Sequence, residues 1–324
     1  MNNRDIHHYQ TRLHSELLGI MKENFKYSLE KYSGSKSRFI CPNCRKKEYT
    51  RFINTETEEY SPYEYGKCNR IIKYFKYPTK GNNSNYDKNK VFVEPKIEFL
   101  DKKVFQFFES SNFNNPLYIF LKTYFNESEI LQVLDLYHIK TEKSNDNYLT
   151  IFPQLDIDYN LRTLKKMIYN SQTGKRSKNF FRWYNPNKSN LKQCLFGLHL
   201  LNHAHFKKSI IVIVESEKTV LLGMLYFKNK YLFLATGGLM NLTKDKMKFL
   251  ENREVILMPD LSPIDAKNTA FEYWKNKAEK IAKELNCSIS ISTLLEDNST
   301  DIQKENQFDI GDFIVENLMN SKSM

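Results

Sequence analysis

Ile211-Val212-Ile213-Val214-Glu215-Ser216-Glu217-Lys218-Thr219 decides the fold. Four consecutive β-branched residues make a strand that is apolar on both faces, the pattern of a buried parallel strand. It runs without a spacer into Ser216 and Glu217, residue types that open helices. Working outward, the alternation continues: 217–227 reads as helix, 231–235 as strand, 244–251 as helix, 254–258 as strand, 266–285 as a long helix and 287–294 as strand. This βαβαβαβ series predicts an α/β unit at 206–300, a parallel sheet covered by helices, with ligand groups at the carboxyl ends of its strands.

Two of those strand ends are acidic. The first strand stops at Glu215, and the third, Val255-Ile256-Leu257-Met258, stops at Pro259-Asp260. Either acid alone has an ordinary explanation, as a carboxylate favoured by a helix N-terminus or as a turn residue. Together, at one edge of a sheet, they repel unless a cation lies between them, and Mg²⁺ takes such hard oxygen ligands. Asp265 lies close by in sequence. Thr236-Gly237-Gly238 follows the second strand, where missing Cβ atoms let a backbone approach phosphate, although Gly-Gly also serves ordinary turns.

Upstream, 102–108 and 116–125 read as helical and 148–155 and 161–169 as extended, an α+β pattern over 93–205. Its basic residues interleave with aromatics: Arg162, Lys165, Lys166 and Tyr169, then Thr173-Gly174-Lys175-Arg176-Ser177-Lys178, then Phe180, Phe181, Arg182, Trp183 and Tyr184. Such a pattern suits a single strand, whose phosphates meet cations and whose unstacked bases meet rings. The competing reading is a solvated hairpin tip followed by a half-buried aromatic strand. No Gly-rich loop precedes Thr173-Gly174-Lys175, so it is not a Walker motif.

The first third of the chain differs in character. Residues 1–30 carry Leu13, Leu17, Ile20, Met21 and Phe25 at helical spacing. Residues 31–80 hold short aromatic and β-branched runs with Cys41-Pro42-Asn43-Cys44 and Cys68, half of a zinc knuckle and a third thiol. No Cys or His follows Cys68 within a few residues, and His7, His8 and His14 are available only at a distance. Residues 81–92 are polar and turn-rich, a linker. Cys194 and Cys287 sit in apolar contexts and read as core residues. Residues 301–324 end in a helix for which Asp309 and Asp312 serve as N-terminal caps.

The chain has 324 residues and a formal charge of +11, which favours a polyanionic partner. Its longest apolar runs fall far short of the roughly 20 residues that span a bilayer. There is no apolar signal core at the N-terminus and no disulfide-like cysteine framework, so a reducing cytoplasm is expected.

The strand ending in Glu215, Ala235-Thr236-Gly237-Gly238 and the strand ending in Pro259-Asp260 resemble the toprim domain, a Rossmann-like parallel sheet found in bacterial-type primases, topoisomerases and certain nucleases. The resemblance implies acid/base work for Glu215 and Mg²⁺ at the acid after the later strand, Asp260. Leu261 and Ser262 follow Asp260, so the second aspartate of the usual Asp-x-Asp is absent, and Asp265 is out of register. More widely, 38–44, 54–57, 66–70, 170–176, 192–199, 214–219 and 259–260 together resemble an uncharacterised toprim-containing, primase-like family of bacterial mobile elements, over about 25–315. That family usually has one more cysteine after the Cys68 block, where this chain has Tyr74.

The resemblance implies a zinc-ribbon-like module binding Zn²⁺ through Cys41, Cys44 and Cys68, a basic middle and an acidic toprim domain. It further implies Mg²⁺ at Glu215 and Asp260, with Asp265 as a reserve ligand, and phosphate contacts from Arg162, Lys165, Lys175, Arg176 and Lys178. The implied activity is nucleotidyl transfer in DNA replication, with single-stranded DNA and nucleotides as partners and a helicase or relaxase encoded separately. Two alternatives stay open: a single-strand-binding accessory without catalysis, and a toprim nuclease.

Overall fold

A computed structural model describes residues 27–34, 37–55, 57–70, 73–76, 96–109, 113–145, 147–185, 190–285 and 287–322. The chain divides into two compact units at Lys96/Ile97. The expected linker at 81–92 and residues 1–26 of the expected first helix lie outside the described residues, as do His7, His8 and His14. Among the described residues no helix is long and apolar enough to cross a membrane.

The first unit is an antiparallel sheet of β1 (Tyr27–Leu29), β2 (Tyr49–Asn54), β3 (Gly66–Cys68) and β4 (Lys73–Tyr74), in that spatial order. Residues 27–29 were expected to continue a helix. Cross-strand pairing decides otherwise, because Tyr27, Ser28 and Leu29 register against Asn54, Ile53 and Phe52. The core is small, built from Cys41, Tyr49, Cys68 and Phe75 with Phe39, Cys44 and Tyr63 around them. Tyr49 is fully buried, stacks on Tyr63 at 5.4 Å and donates its hydroxyl to the Tyr63 carbonyl at 2.8 Å.

The second unit opens with a 3₁₀ helix, Lys102–Phe107, where a helix was expected at 102–108, followed by α1 (Pro116–Lys122) and α2 (Glu127–Leu136). Asn115 and Asn126 cap them, their side chains accepting from Leu117 N and Ser128 N, and Pro116 sits at the first position, where its missing N–H costs nothing. Then come β5 (Lys140–Ser144), β6 (Asn147–Leu155), β7 (Leu161–Tyr169) and β8 (Arg176–Tyr184), an antiparallel sheet in sequence order. Its last pairing is irregular: Met167 faces Phe181 but Tyr169 faces Arg176. The strand ladder beyond is parallel, with β9 (Ile211–Val214), β10 (Leu232–Ala235), β11 (Glu254–Leu257) and β12 (Ser288–Ile291) in the order β10-β9-β11-β12.

Helices α3 (Glu217–Tyr226), α4 (Lys244–Met247), α5 (Ala270–Glu284), α6 (Leu294–Asn298), α7 (Asp301–Glu305) and α8 (Ile310–Lys322) complete this unit. The helix expected at 244–251 is shorter, because 248–250 tighten into a 3₁₀ turn. The long helix starts at Ala270 rather than 266, where Thr269 caps it. The expected C-terminal helix is two helices, and α8 packs against α3 with Ile310 and Ile314 in the core. Cys194 is buried in that core, whereas Cys287, also expected there, is only half-buried.

One core spans the second unit, running from α1 and α2 through Cys194–Leu201 to the parallel sheet. The buried Tyr137 hydroxyl donates to the Phe233 carbonyl at 2.7 Å, and Phe196 bridges to Ala235. The segments expected as separate domains at 93–205 and 206–300 therefore share a single core. The other face of the antiparallel sheet carries a smaller cluster around Val104, Phe108, Ile151 and Leu164.

Candidate functional site

Because β9 and β11 are neighbours in a parallel sheet, their carboxyl ends fall side by side. Met258 N donates to Ile213 O at 2.9 Å, and two residues later the Asp260 N–H reaches Glu215 Oε1 at 3.4 Å. Leu261 N donates to Phe308 O at 2.9 Å, which ties the residue after Asp260 to the residue before Asp309. A third carboxylate is thereby brought to the first two. Asp309 is buried, accepts from the Thr219 hydroxyl and from Asp312 N (2.9 Å), and Asp312 Oδ2 accepts from Asp309 N (3.2 Å).

Glu215, Asp260 and Asp309 share a cavity of about 240 Å³ with Ser216, Glu217, Lys218, Gly237 and Gly238 and with Lys165, Met167, Tyr169, Gly174 and Arg176. Gly237 and Gly238 have φ of +82° and +137°, and Gly237 donates its N–H to Glu215 O at 2.9 Å. A side chain at 237 would be strained in that conformation and would stand 3.5 Å from Glu217 Oε1.

The electrostatics follow from crowding acids out of water. Burial, with Asp309 adding repulsion, pushes Glu215 up to about 7. Asp260 is raised further by burial and by Asp309, Glu215 and Asp312, and its Oδ1 is sealed from solvent without a hydrogen-bond partner. Asp312 is raised by burial and by Asp309. Burial opposes the charge on Lys218, but Asp309, Asp312 and Asp260 outweigh it and hold its pKa above the ordinary lysine value. Its ammonium lies 3.3 Å from Asp312 Oδ1. Three acids, Asp309, Asp312 and Asp260, thus act on the one ammonium of Lys218.

The basic residues expected at phosphates are not equivalent. Lys165 is 3% exposed, and both oxygens of buried Glu217 hold its ammonium at 2.8 and 2.7 Å. Arg162 pairs with Asp156 at 2.9 Å. Arg176 is exposed and walls the cavity; Lys175 and Lys178 are exposed outside it, as is Asp265. Asp309, Asp312 and Lys218 were missed as site residues. The available signal was Gly311 between two acids at a helix start, a glycine where a Cβ would come within 2.8 Å of Leu222, so that α8 presses on α3.

In the first unit the Sγ atoms of Cys41, Cys44 and Cys68 lie within 4.8 Å of one another, and Cys44 and Cys68 are 3.7 Å apart. Tetrahedral zinc with Zn–S near 2.3 Å places two sulfurs about 3.8 Å apart, so the spacing fits. The Cys44 N–H points at Cys41 Sγ at 3.5 Å, the turn of a metal knuckle. Among the described residues no fourth His, Cys, Asp or Glu joins the three.

Residues 115–261 match the family model of a domain of unknown function (DUF6371), and residues 25–87 match that of a zinc beta-ribbon finger. No curated protein matches the chain. Solved structures similar to it include the primase fragment of the bacteriophage T7 primase-helicase protein (15% identity, 83% of this chain and 98% of that one, TM-score 0.38). Others are the zinc-binding and RNA polymerase domains of Aquifex aeolicus primase (13%, 94% and 82%, TM-score 0.39) and the E. coli primase catalytic core (12%, 67% and 82%, TM-score 0.39). Likeness at these scores decides neither fold nor activity. The ribbon match and the thiol cluster together indicate a zinc-type site.

Proposed function

We propose that this chain is a primase-like nucleic-acid protein of a mobile element, whose toprim-type parallel sheet carries out Mg²⁺-dependent nucleotidyl transfer. The observation that carries the reading is the convergence of Glu215, Asp260 and Asp309 on one cavity, with a sealed Asp260 oxygen that no donor satisfies. Asp260 and Asp309, with Glu215, would hold the cation, which when bound neutralises phosphate charge and orients oxygens for in-line displacement. Glu215, directly after β9, would in the alternative role take the proton of an attacking hydroxyl, the acid/base work that the resemblance implies. Arg176 offers a fork of donors to phosphate from the cavity wall. Gly237 and Gly238 let backbone come close to the same group.

The position two residues after Asp260 is Ser262, and its hydroxyl accepts from Ala270 N at 2.7 Å at the start of α5. It is thus occupied by helix capping. With Lys218 already beside Asp312, the cluster suits one divalent ion rather than two. The same observation favours a second reading, a single-strand-binding accessory without turnover.

Calorimetric titration with Mg²⁺ or Mn²⁺ on wild type and on Glu215→Gln/Asp260→Asn tests the proposal. Binding of one ion that the double substitution abolishes, followed by primer synthesis from nucleotides, supports nucleotidyl transfer. Cleavage of labelled strands without synthesis replaces transferase by nuclease. No metal binding to wild type, with DNA still held, leaves the accessory.

A further inference from the structure

Strand β8 is the last strand of its sheet, and the register sorts its aromatic residues onto two faces. Trp183 stands opposite Lys165 and Phe181 opposite Met167, so both rings share the face whose Lys165, Met167 and Arg176 wall the acidic cavity. By alternation Phe180, Arg182 and Tyr184 take the other face, where Phe180 and Tyr184 pack on the smaller core. On the cavity side the rings are less covered: Phe181 is 47% exposed and Trp183 half-buried. They meet edge to face, centroids 5.6 Å apart, with the Lys165 ammonium 5.6 and 5.9 Å from them.

We propose that Phe181 and Trp183 form a stacking platform for an unpaired nucleobase of a single strand whose phosphates lead to the acidic cavity. Lys165 is neutralised by Glu217 and is no phosphate clamp. Its stem and ammonium instead fix the two rings beside the cavity wall. Exposed Lys175 and Arg176 lie where the turn enters the same strand, and Arg176 walls the cavity, so flat apolar faces on the cavity side stand beside cations. That combination matches a polyanion with exposed π-faces. In a duplex the bases are stacked on one another and cannot lie on the rings, so the occupant is single-stranded. This deepens the reading of the cavity as a site for nucleic-acid phosphates and rests on it.

Trp183 reports directly, because the chain has two tryptophans and the other, Trp274, is fully buried and gives a constant background. The full chain is titrated with oligothymidylate, with an abasic strand of equal length and with a duplex, all without added divalent metal. Oligothymidylate is expected to quench Trp183, the abasic strand and duplex far less, and Phe181→Leu to weaken the oligothymidylate titration about tenfold or more, the loss of a stacked base. Phe181 is half-exposed, so this substitution leaves the fold and the Trp274 signal intact.

Equal quenching by abasic strand, an unchanged Phe181→Leu titration, or no response to any nucleic acid overturns the platform; the last result points to a protein strand docking on β8. If metal-dependent transfer fails in wild type while quenching persists, the catalytic reading falls and the platform stands.

Discussion

Glu215 and Asp260 hold their protons more tightly in the fold than in the unfolded chain, chiefly through burial. The stability they lend is therefore complete below their ordinary values, 4.5 for Glu215 and 3.8 for Asp260, and for Glu215 drains away as pH rises through about 7. At about 1.4 kcal/mol for each tenfold change in proton affinity, Glu215 accounts for on the order of 3 kcal/mol. Without metal, the melting temperature of wild type should fall relative to Glu215→Gln/Asp260→Asn between about pH 5 and about pH 8, and Mg²⁺ should raise it more at the upper end. Parallel profiles for the two proteins would remove the acids from the stability balance. Lys218 supplies the opposing charge, so Lys218→Gln should destabilise the metal-free protein by about 1 kcal/mol, the scale of an ion pair partly open to solvent. Added Mg²⁺ should recover most of that loss in thermal melts. Glu215 and Asp260 were legible because buried apolar runs point straight at them. Asp309 was not, because it also does what a capping aspartate does, accepting from Asp312 N. The hydrogen bonds from Leu261 to Phe308 and from Thr219 to Asp309 bring it to Asp260 and Glu215.

Elements, rather than single residues, hold the cavity open between the two sheets. Strand β7 supplies Lys165 and the first turn of α3 supplies Glu217; both are buried, and the pair joins the antiparallel sheet to the start of the helix behind Glu215. Breaking one side strands a charge, so Lys165→Met should cost about 3–5 kcal/mol in urea unfolding. Lys165→Met with Glu217→Leu should regain most of it, since a buried ion pair replaced by apolar groups is often near neutral. A double variant as unstable as the single one would show that the pair does not brace the sheets. The alternation from 211 to 291 could be read from the sequence because β9 and β10 are short apolar runs and α3 and α5 are capped by Ser216 and Thr269. The hairpin of β7 and β8 was less legible. Its register shifts between Met167 and Tyr169, and Gly174 turns it at φ +64°, where a Cβ would come within 2.5 Å of the Phe120 ring. Simple alternation from either end of β8 thus loses count, and which aromatics face the cavity emerges only from the pairing with β7.

At the scale of the whole molecule, the two units rely on different sources of stability. Residues 97–322 bury a continuous core across both sheets. Among the described residues the hydrophobic cluster of the sheet at 27–76 has four buried members, two of them cysteines. So small a core rarely suffices without a staple, and three thiols at zinc spacing supply one. The sequence grouped the three thiols but not the route by which they meet: the pairing of β3 with β2 sets Cys68 opposite Tyr49 and brings it to Cys44. If zinc holds this unit, the purified chain should carry one zinc per molecule, and a strong chelator should unfold 27–76 while 97–322 still melts at its original temperature. Hydrogen exchange resolves the two: amides of Tyr49, Arg51 and Cys68 should lose protection with zinc, and those of Ile213 and Leu234 should keep it. Cys44→Ser should have the effect of the chelator, since a half-buried sulfur removed from the cluster costs little packing but one metal bond. Protection of Tyr49 unchanged by chelator and by Cys44→Ser would mean that the aromatic core of Tyr49, Tyr63 and Phe75 folds without metal.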